Sequence, residues 1–270
     1  MSENKSKVKD LSRVPGSSPY GHAMWYLGRA ADAPFQYLLF SRGFAVSTAS
    51  ALGLRASNVL VKAGPGAGGL GPVPTLLTGL YALAALRHVY WLTFTNTYEF
   101  PFGQAVQVVL YNLVVDTFIT ISAVQALATT SNVPDLTNLD GSGFGSFVDA
   151  LGWKQWTGIG MFVVGLLIES LSEELRKSFK NDPKNKGKIV DAGLWSLVRH
   201  PNYSGHTIWR SGIALATGSI GATVGFALFQ AGVLLGQSIP GLAGHMAARY
   251  GAQWTAYEKR VTYKLVPGIL

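Results

Sequence analysis

The chain has 270 residues, of which 48% are apolar and only 13% charged, and it contains no cysteine. That composition excludes disulfide scaffolds and thiolate metal centres, and it is too poor in charge for an ordinary soluble domain, so it points to a membrane protein. The net charge of +8 sits largely in stretches between apolar segments, which fits basic loops on the cytoplasmic side and leaves nucleic acid no polar basic domain to bind.

Residues 1–33 read as a polar N-terminal arm carrying Lys5, Lys7, Lys9 and Arg13, mostly disordered, with an interfacial helix over 20–29. No apolar run follows these charges, so the arm does not read as a cleavable signal. Residues 34–270 read as a single transmembrane domain. A span needs about 20 mainly apolar residues, and 35–54 only just qualifies because Arg42 interrupts it. Residues 64–71, GPGAGGLG, look superficially like a phosphate loop. No strand pattern precedes them and no Lys-Ser/Thr follows, so they read as a flexible connection. A second span covers 72–95, with Arg87, His88 and Tyr90 near its end, where long basic side chains can reach the interface. A third covers 104–128. Its Gln107, Tyr111 and Asp116 fall near one helical stripe, and an acid near the middle of a span faces protein interior or water.

Residues 129–154 form a polar, acidic loop with Asp135, Asp140 and Asp149, and a fourth span follows at 156–171 behind the interfacial Trp153 and Trp156. The most basic loop comes next, at 172–200, with Arg176, Lys177, Lys180, Lys184, Lys186 and Lys188. The apolar tract 207–239 fits one tilted helix poorly, and Gly218 and Gly221 are natural breaks that give two short spans. A polar, aromatic-rich tail closes the chain with Arg249, Lys259, Arg260 and Lys264. The expectation is an all-α polytopic transmembrane helical bundle of about six spans. The acidic loop lies outside, and the basic loop and both termini are cytoplasmic.

One stretch, 191–206, reads DAGLWSLVRHPNYSGH and gathers Arg199, His200, Asn202, Tyr203 and His206 around Pro201 and Gly205. Pro201 biases His200 away from the helical region, so these side chains are expected around a turn, with a helix resuming near Thr207. Such a polar cluster at a membrane edge is costly unless it binds something. Lipid headgroups would call for Lys and Arg, not for Asn and Tyr at fixed offsets. The run GLW, then RHPNY, then Gly205 resembles the C-terminal signature of the steroid 5α-reductase-like membrane reductases, as do NDPKNKGK at 181–188 and the closing Tyr257-Glu-Lys-Arg and Leu265-Val-Pro267. The resemblance covers roughly 168–270. His206 stands where that family usually has Glu. Membrane methyltransferases of the isoprenylcysteine and phospholipid type carry a similar turn.

The resemblance implies an NADPH-dependent reductase of a carbon–carbon double bond in a lipophilic substrate: sterol, terpenoid or enoyl lipid. It implies a multi-pass protein among membrane lipids, in the endoplasmic reticulum if the source is eukaryotic. A dinucleotide phosphate outside a Rossmann fold needs Arg and Lys for charge-assisted bonds, and Arg176, Lys177, Lys180 and Arg199 are the candidates. By resemblance, Glu173 is a functional acid and Asn202 and Tyr203 belong to the cofactor-contacting turn. His200 and Tyr257 fall in the same signature. Proton-donor candidates are Tyr111, Glu99, Asp116 and His206, of which Tyr111 and His206 are the preferred catalytic pair. The rival readings are an S-adenosylmethionine-dependent membrane methyltransferase and an isomerase or non-catalytic protein on the same scaffold. The five histidines are scattered with no HExxH, so no metal site is expected. Substrate and oligomeric state are left open.

Overall fold

In a computed structural model of the chain, the described residues are 16–129 and 144–269. Most of the expected acidic loop, including Asp135 and Asp140, and the arm before residue 16 therefore lie outside them. Every regular element among the described residues is helical: α1 Pro19–Ser41, α2 Phe44–Ala51, α3 Asn58–Lys62, α4 Pro72–Tyr90, α5 Phe102–Thr129, α6 Phe144–Asp149, α7 Trp153–Asn181, α8 Pro201–Ala216, α9 Ile220–Val233, α10 Ile239–Tyr250 and α11 Ala252–Arg260. A π-type turn, Leu234–Ser238, joins α9 to α10 without a break. Among the described residues two helical stretches, Phe102–Thr129 and Ile220–Tyr250, are long and apolar enough to cross a membrane, against the six spans expected.

The residues fall into two compact units. The N-terminal unit is Pro15–Phe162 with Arg210–Gly225; the C-terminal unit contains Val163–Trp209 and Phe226–Leu270.

In the N-terminal unit the helical part starts well before residue 33. Pro19 opens α1 at a position whose missing N–H costs no intrahelical bond. The weak span expected at 35–54 is no single helix: Gly43, at φ 76°, breaks it into α1 and α2. That left-handed backbone is one a residue with a Cβ adopts at a cost. What the sequence shows as polar in 19–36 is core. Arg29, Asp32 and Gln36 are buried, at 1%, 3% and 0% exposure, while Trp25 packs with Leu92, Phe100, Ala105 and Val109. Residues 64–71 are the connection they were expected to be; the Tyr37 hydroxyl donates to the Gly68 carbonyl at 2.8 Å. On α5 the polar stripe is displaced from the expected one. Gln107 is exposed and Tyr111 half-buried, and the buried polar residues are Asn112, Asp116 and Thr120. Leu110, Val114 and Phe118, four apart, face outward. A helix with acids and amides inside and leucine, valine and phenylalanine outside has the inverse of a water-soluble pattern.

In the C-terminal unit α7 runs on to Asn181. Arg176, Lys177 and Lys180, expected in a loop, are therefore on a helix. The helix expected to resume near Thr207 begins instead at Pro201, because a proline that disfavours helix for His200 is itself preorganised for the first helical position. In the part of the chain that returns to the N-terminal unit, the expected break at Gly218 is present, with φ 89°. The apolar core of the C-terminal unit includes a cluster of Ile189, Trp254, Tyr257 and Val261 and another of Leu234, Ile239 and Leu265, with Tyr203 packed against the latter.

Candidate functional site

Within the C-terminal unit, α7 and α8 approach so closely that two glycines are required. A Cβ on Gly205 would stand 2.5 Å from the Glu169 amide nitrogen, and one on Gly165 would stand 2.4 Å from that of Trp209. This crossing sets the polar face of α7 against the first turns of α8. Glu169 and Glu173, four apart, lie on that face of α7. Glu173 is buried. One of its oxygens accepts from the Asn202 amide at 2.8 Å, and the other from Nε and Nη2 of Arg176 at 3.2 and 2.6 Å. Glu169 Oε2 accepts from the Trp209 indole N–H at 2.6 Å, and Oε1 stands 3.6 Å from Nδ1 of His206. The His206 imidazole meets the Trp209 ring edge-on, centroids 4.9 Å apart.

The turn before α8 is held from the tail. Backbone amides of Arg199 and His200 donate to the carbonyls of Tyr263 and Lys264 at 2.9 and 3.0 Å, and Ser204 Oγ donates to the Leu265 carbonyl at 2.6 Å. These contacts fix a helix N-terminus that carries no capping side chain of the usual kind. The guanidinium of Arg199 pairs with Glu258 at 2.5 Å and reaches the Thr262 carbonyl at 3.3 Å. Its Nε is buried without a hydrogen-bond partner, and so is Nδ1 of His200. Burial, with Arg199 and Lys264 nearby, lowers the His200 pKa to about 4, so this ring is neutral near pH 7. It stacks on Tyr203 at 5.4 Å. Tyr257 donates to the Trp195 carbonyl at 2.7 Å, and Trp195 donates to that of Ser172 at 3.1 Å. Burial, and then Asp191, push the Tyr257 phenol well above its ordinary range, which suits a structural donor.

Of the residues expected in a site, Glu173, Arg176 and Asn202 form one hydrogen-bonded group. Arg199, His200 and Tyr203 line the adjoining turn, and His206 lies one helical turn further along α8. Lys180 donates to the Tyr250 hydroxyl at 3.0 Å and to the Lys188 carbonyl. Lys177 pairs with Glu174 at 3.7 Å near the surface, one position on from the Glu173–Arg176 pair. The sequence reading missed Glu169, Trp209 and Glu258. Glu169 was hidden at the end of an apolar run; its spacing of four from Glu173 was the available signal.

Tyr111 and Asp116 belong to the N-terminal unit. Arg210 donates to Asp116 at 2.6 Å and to Asn112, and its guanidinium lies 5.9 Å from the Tyr111 ring centroid. Beside them Arg29 donates to Asp32 at 2.7 Å, Gln36 donates to Asp32 and accepts from Thr120, and Tyr81 meets Thr120 at 3.1 Å. Asp116 is therefore tied up in an ion pair at 1% exposure of both partners. Among the described residues no cluster of three metal-ligating side chains occurs.

A family model described as a protein of unknown function (DUF1295) matches residues 73–261. A probable O-methyltransferase, ustE, of Ustilaginoidea virens is 33% identical over 264 residues, covering 91% of this chain and 86% of that protein. A probable 7-dehydrocholesterol reductase of Acanthamoeba polyphaga mimivirus is 33% identical over 82 residues, 30% of this chain and 18% of that protein. A Delta(14)-sterol reductase of Ascobolus immersus is 30% identical over 86 residues, 32% of this chain and 20% of that protein.

Proposed function

From the premise that the chain belongs to the DUF1295 family, a steroid 5α-reductase-like family, we propose that it is a membrane-embedded, NADPH-dependent reductase of a carbon–carbon double bond in a lipophilic substrate. The observation that carries this reading is the turn before α8. Arg199 Nε and His200 Nδ1 are buried polar atoms with no protein partner, beside the Glu173–Asn202 hydrogen bond. Buried polar atoms are normally satisfied, so adjacent orphans at a helix N-terminus fit a polar ligand. Arg176, Lys177 and Lys180 on the last turns of α7 supply positive charge suited to phosphates.

In this reading Arg199 and the lysines of α7 hold phosphate oxygens. Glu173, fixed by Arg176, keeps the Asn202 amide oriented toward the bound cofactor. Neutral His200 and Tyr203 close the turn against water. Bound NADPH supplies the hydride; the protein supplies orientation and a proton. His206 remains a proposed proton-handling residue of this unit; Tyr111 is a separate candidate, on the N-terminal unit. The outward apolar stripe of α5 and the stretch Ile220–Tyr250, of which 17% of the apolar window is buried within the protein, suit a lipid environment. They support a multi-pass arrangement; if the source is eukaryotic, the family resemblance implies the endoplasmic reticulum membrane.

A second reading has its own support. The relative matched along almost the whole chain carries the name of an O-methyltransferase, and Arg176 and Arg199 are already partnered by carboxylates. An S-adenosylmethionine-dependent methyltransferase would need fewer unpaired cations, since its cofactor has no phosphate. The two readings separate in one experiment. Membranes containing the protein are incubated with a lipid extract and either NADPH deuterated at C4 or methyl-deuterated S-adenosylmethionine. The reductase reading requires a product that has gained one deuteride and one proton, about three mass units above its precursor. A trideuteromethyl adduct supports the methyltransferase instead.

A further inference from the structure

We propose that Glu169 is a positioning residue. Its carboxylate holds the His206 imidazole as the Nδ1–H tautomer and leaves Nε2 to accept a hydrogen bond from a hydroxyl or amide group of the bound molecule.

Three contacts support this. Trp209 donates to Glu169 Oε2 at 2.6 Å, which fixes the carboxylate. The other oxygen then faces His206 Nδ1 at 3.6 Å, just outside direct hydrogen-bond length. Hydrogen bonds in such pairs are often this long before a ligand arrives and shorten in the complex. The edge-on Trp209 ring, 4.9 Å from the imidazole, limits rotation of His206 away from Glu169. The arrangement is built into the helix crossing: Trp209 and His206 are three apart on α8, and the Gly165–Gly205 contact lets α7 bring Glu169 against both.

A carboxylate accepts but does not donate. The ring nitrogen facing it must therefore carry the proton, and in a neutral imidazole the other nitrogen then bears the lone pair. His206 is partly exposed, at 22% of its side chain, so Nε2 is not confined within the core. The dyad also gives a reason for histidine where the sequence signature carries glutamate. Here the carboxylate comes from α7 at Glu169, and the residue on α8 contributes a nitrogen in its place.

The role of Nε2 rests on the reductase reading; the tautomer does not. Full-length protein labelled with 15N-histidine, in detergent micelles near neutral pH, reports the tautomer through long-range 15N–1H correlations, with His206 assigned by His206→Gln. The expected result is a predominantly Nδ1–H imidazole, against the Nε2–H form that is commoner in water. Glu169→Leu, which removes the acceptor, is expected to reverse the dominant form. Glu169→Gln, whose amide oxygen still accepts, is expected to preserve it. A wild-type spectrum dominated by Nε2–H overturns the proposal even if no variant folds, as does an unchanged tautomer in Glu169→Leu. If the tautomer is Nδ1–H but S-adenosylmethionine binds and NADPH does not, the dyad stands and the reductase reading falls.

Discussion

The two units each bury carboxylates beside arginines, yet they do so in opposite ways. In the N-terminal unit, Asp116 and Arg210 are paired at 1% exposure each, and Arg29 with Asp32 at 1% and 3%, enclosed by Asn112, Gln36, Thr120 and Tyr81. In the C-terminal unit, the Glu173–Arg176 pair is exposed at 8% and 18% and the Glu169–His206 pair at 17% and 22%. Buried nitrogens without a hydrogen-bond partner occur in both units, Arg29 Nε and Nη2 in the first and Arg199 Nε and His200 Nδ1 in the second, so the difference lies in exposure. A pair sealed from solvent can offer registry between helices. A partly exposed one can be reached by something that arrives. The same residue types therefore mark architecture in one unit and a candidate binding site in the other.

The contrast is sharpest if the closed network is cut. Arg210→Met leaves Asp116 buried without its cation and is expected to destabilise the protein by about 3–5 kcal/mol, measured by denaturant or thermal unfolding in detergent. Arg210→Met combined with Asp116→Asn should recover much of that loss. A single variant as stable as the wild type would show that the pair does not hold the helices.

The open unit predicts a pH dependence. The folded-state pKa of His200 is lowered to about 4, below the ordinary value near 6.5. Above that ordinary value the ring is neutral in both folded and unfolded states. As pH falls from about 6.5 toward 4 the unfolded chain takes up a proton that the folded one does not, so stability falls. The loss is on the order of 3 kcal/mol, since each pKa unit corresponds to about 1.4 kcal/mol. Unfolding measured at pH 7 and pH 4.5 should show it, and His200→Gln should flatten that segment of the profile.

These cases also show what the sequence made legible. The amphipathic run at 104–128 announced α5 almost to its ends, because apolar length is read directly from composition. The break at Gly218 was visible for the same local reason. Arg29 and Asp32 looked like part of a polar arm and Gln36 like part of a weak span, because nothing local to α1 says that Asp116 and Thr120, more than eighty positions away, will meet that surface. The RHPNY turn announced Asn202 and Tyr203 as a cluster, but not that Pro201 would start the helix instead of delaying it. Glu173 was found through the family resemblance; Glu169 was missed because leucines and isoleucine precede it.

Smaller effects separate ligand contacts from surface charge. Arg199→Ala removes the buried Nε and is expected to weaken NADPH binding by about 1.5–3 kcal/mol, the range for a hydrogen bond to a charged group, as measured by titration calorimetry. Lys184, exposed in the short helical turn after Asp182, should matter least: Lys184→Ala is expected to change NADPH affinity by less than about 0.5 kcal/mol. Equal losses in the two variants would reduce the open unit to a general basic surface.

The most direct test of the account is ligand-dependent stabilisation of the purified, detergent-solubilised protein. NADPH is expected to raise the unfolding temperature in a saturable manner, and S-adenosylmethionine at equal concentration is expected to leave it unchanged. Glu173→Gln should lose most of the NADPH effect while folding normally without it. Saturable stabilisation by S-adenosylmethionine and none by NADPH would contradict the reductase assignment.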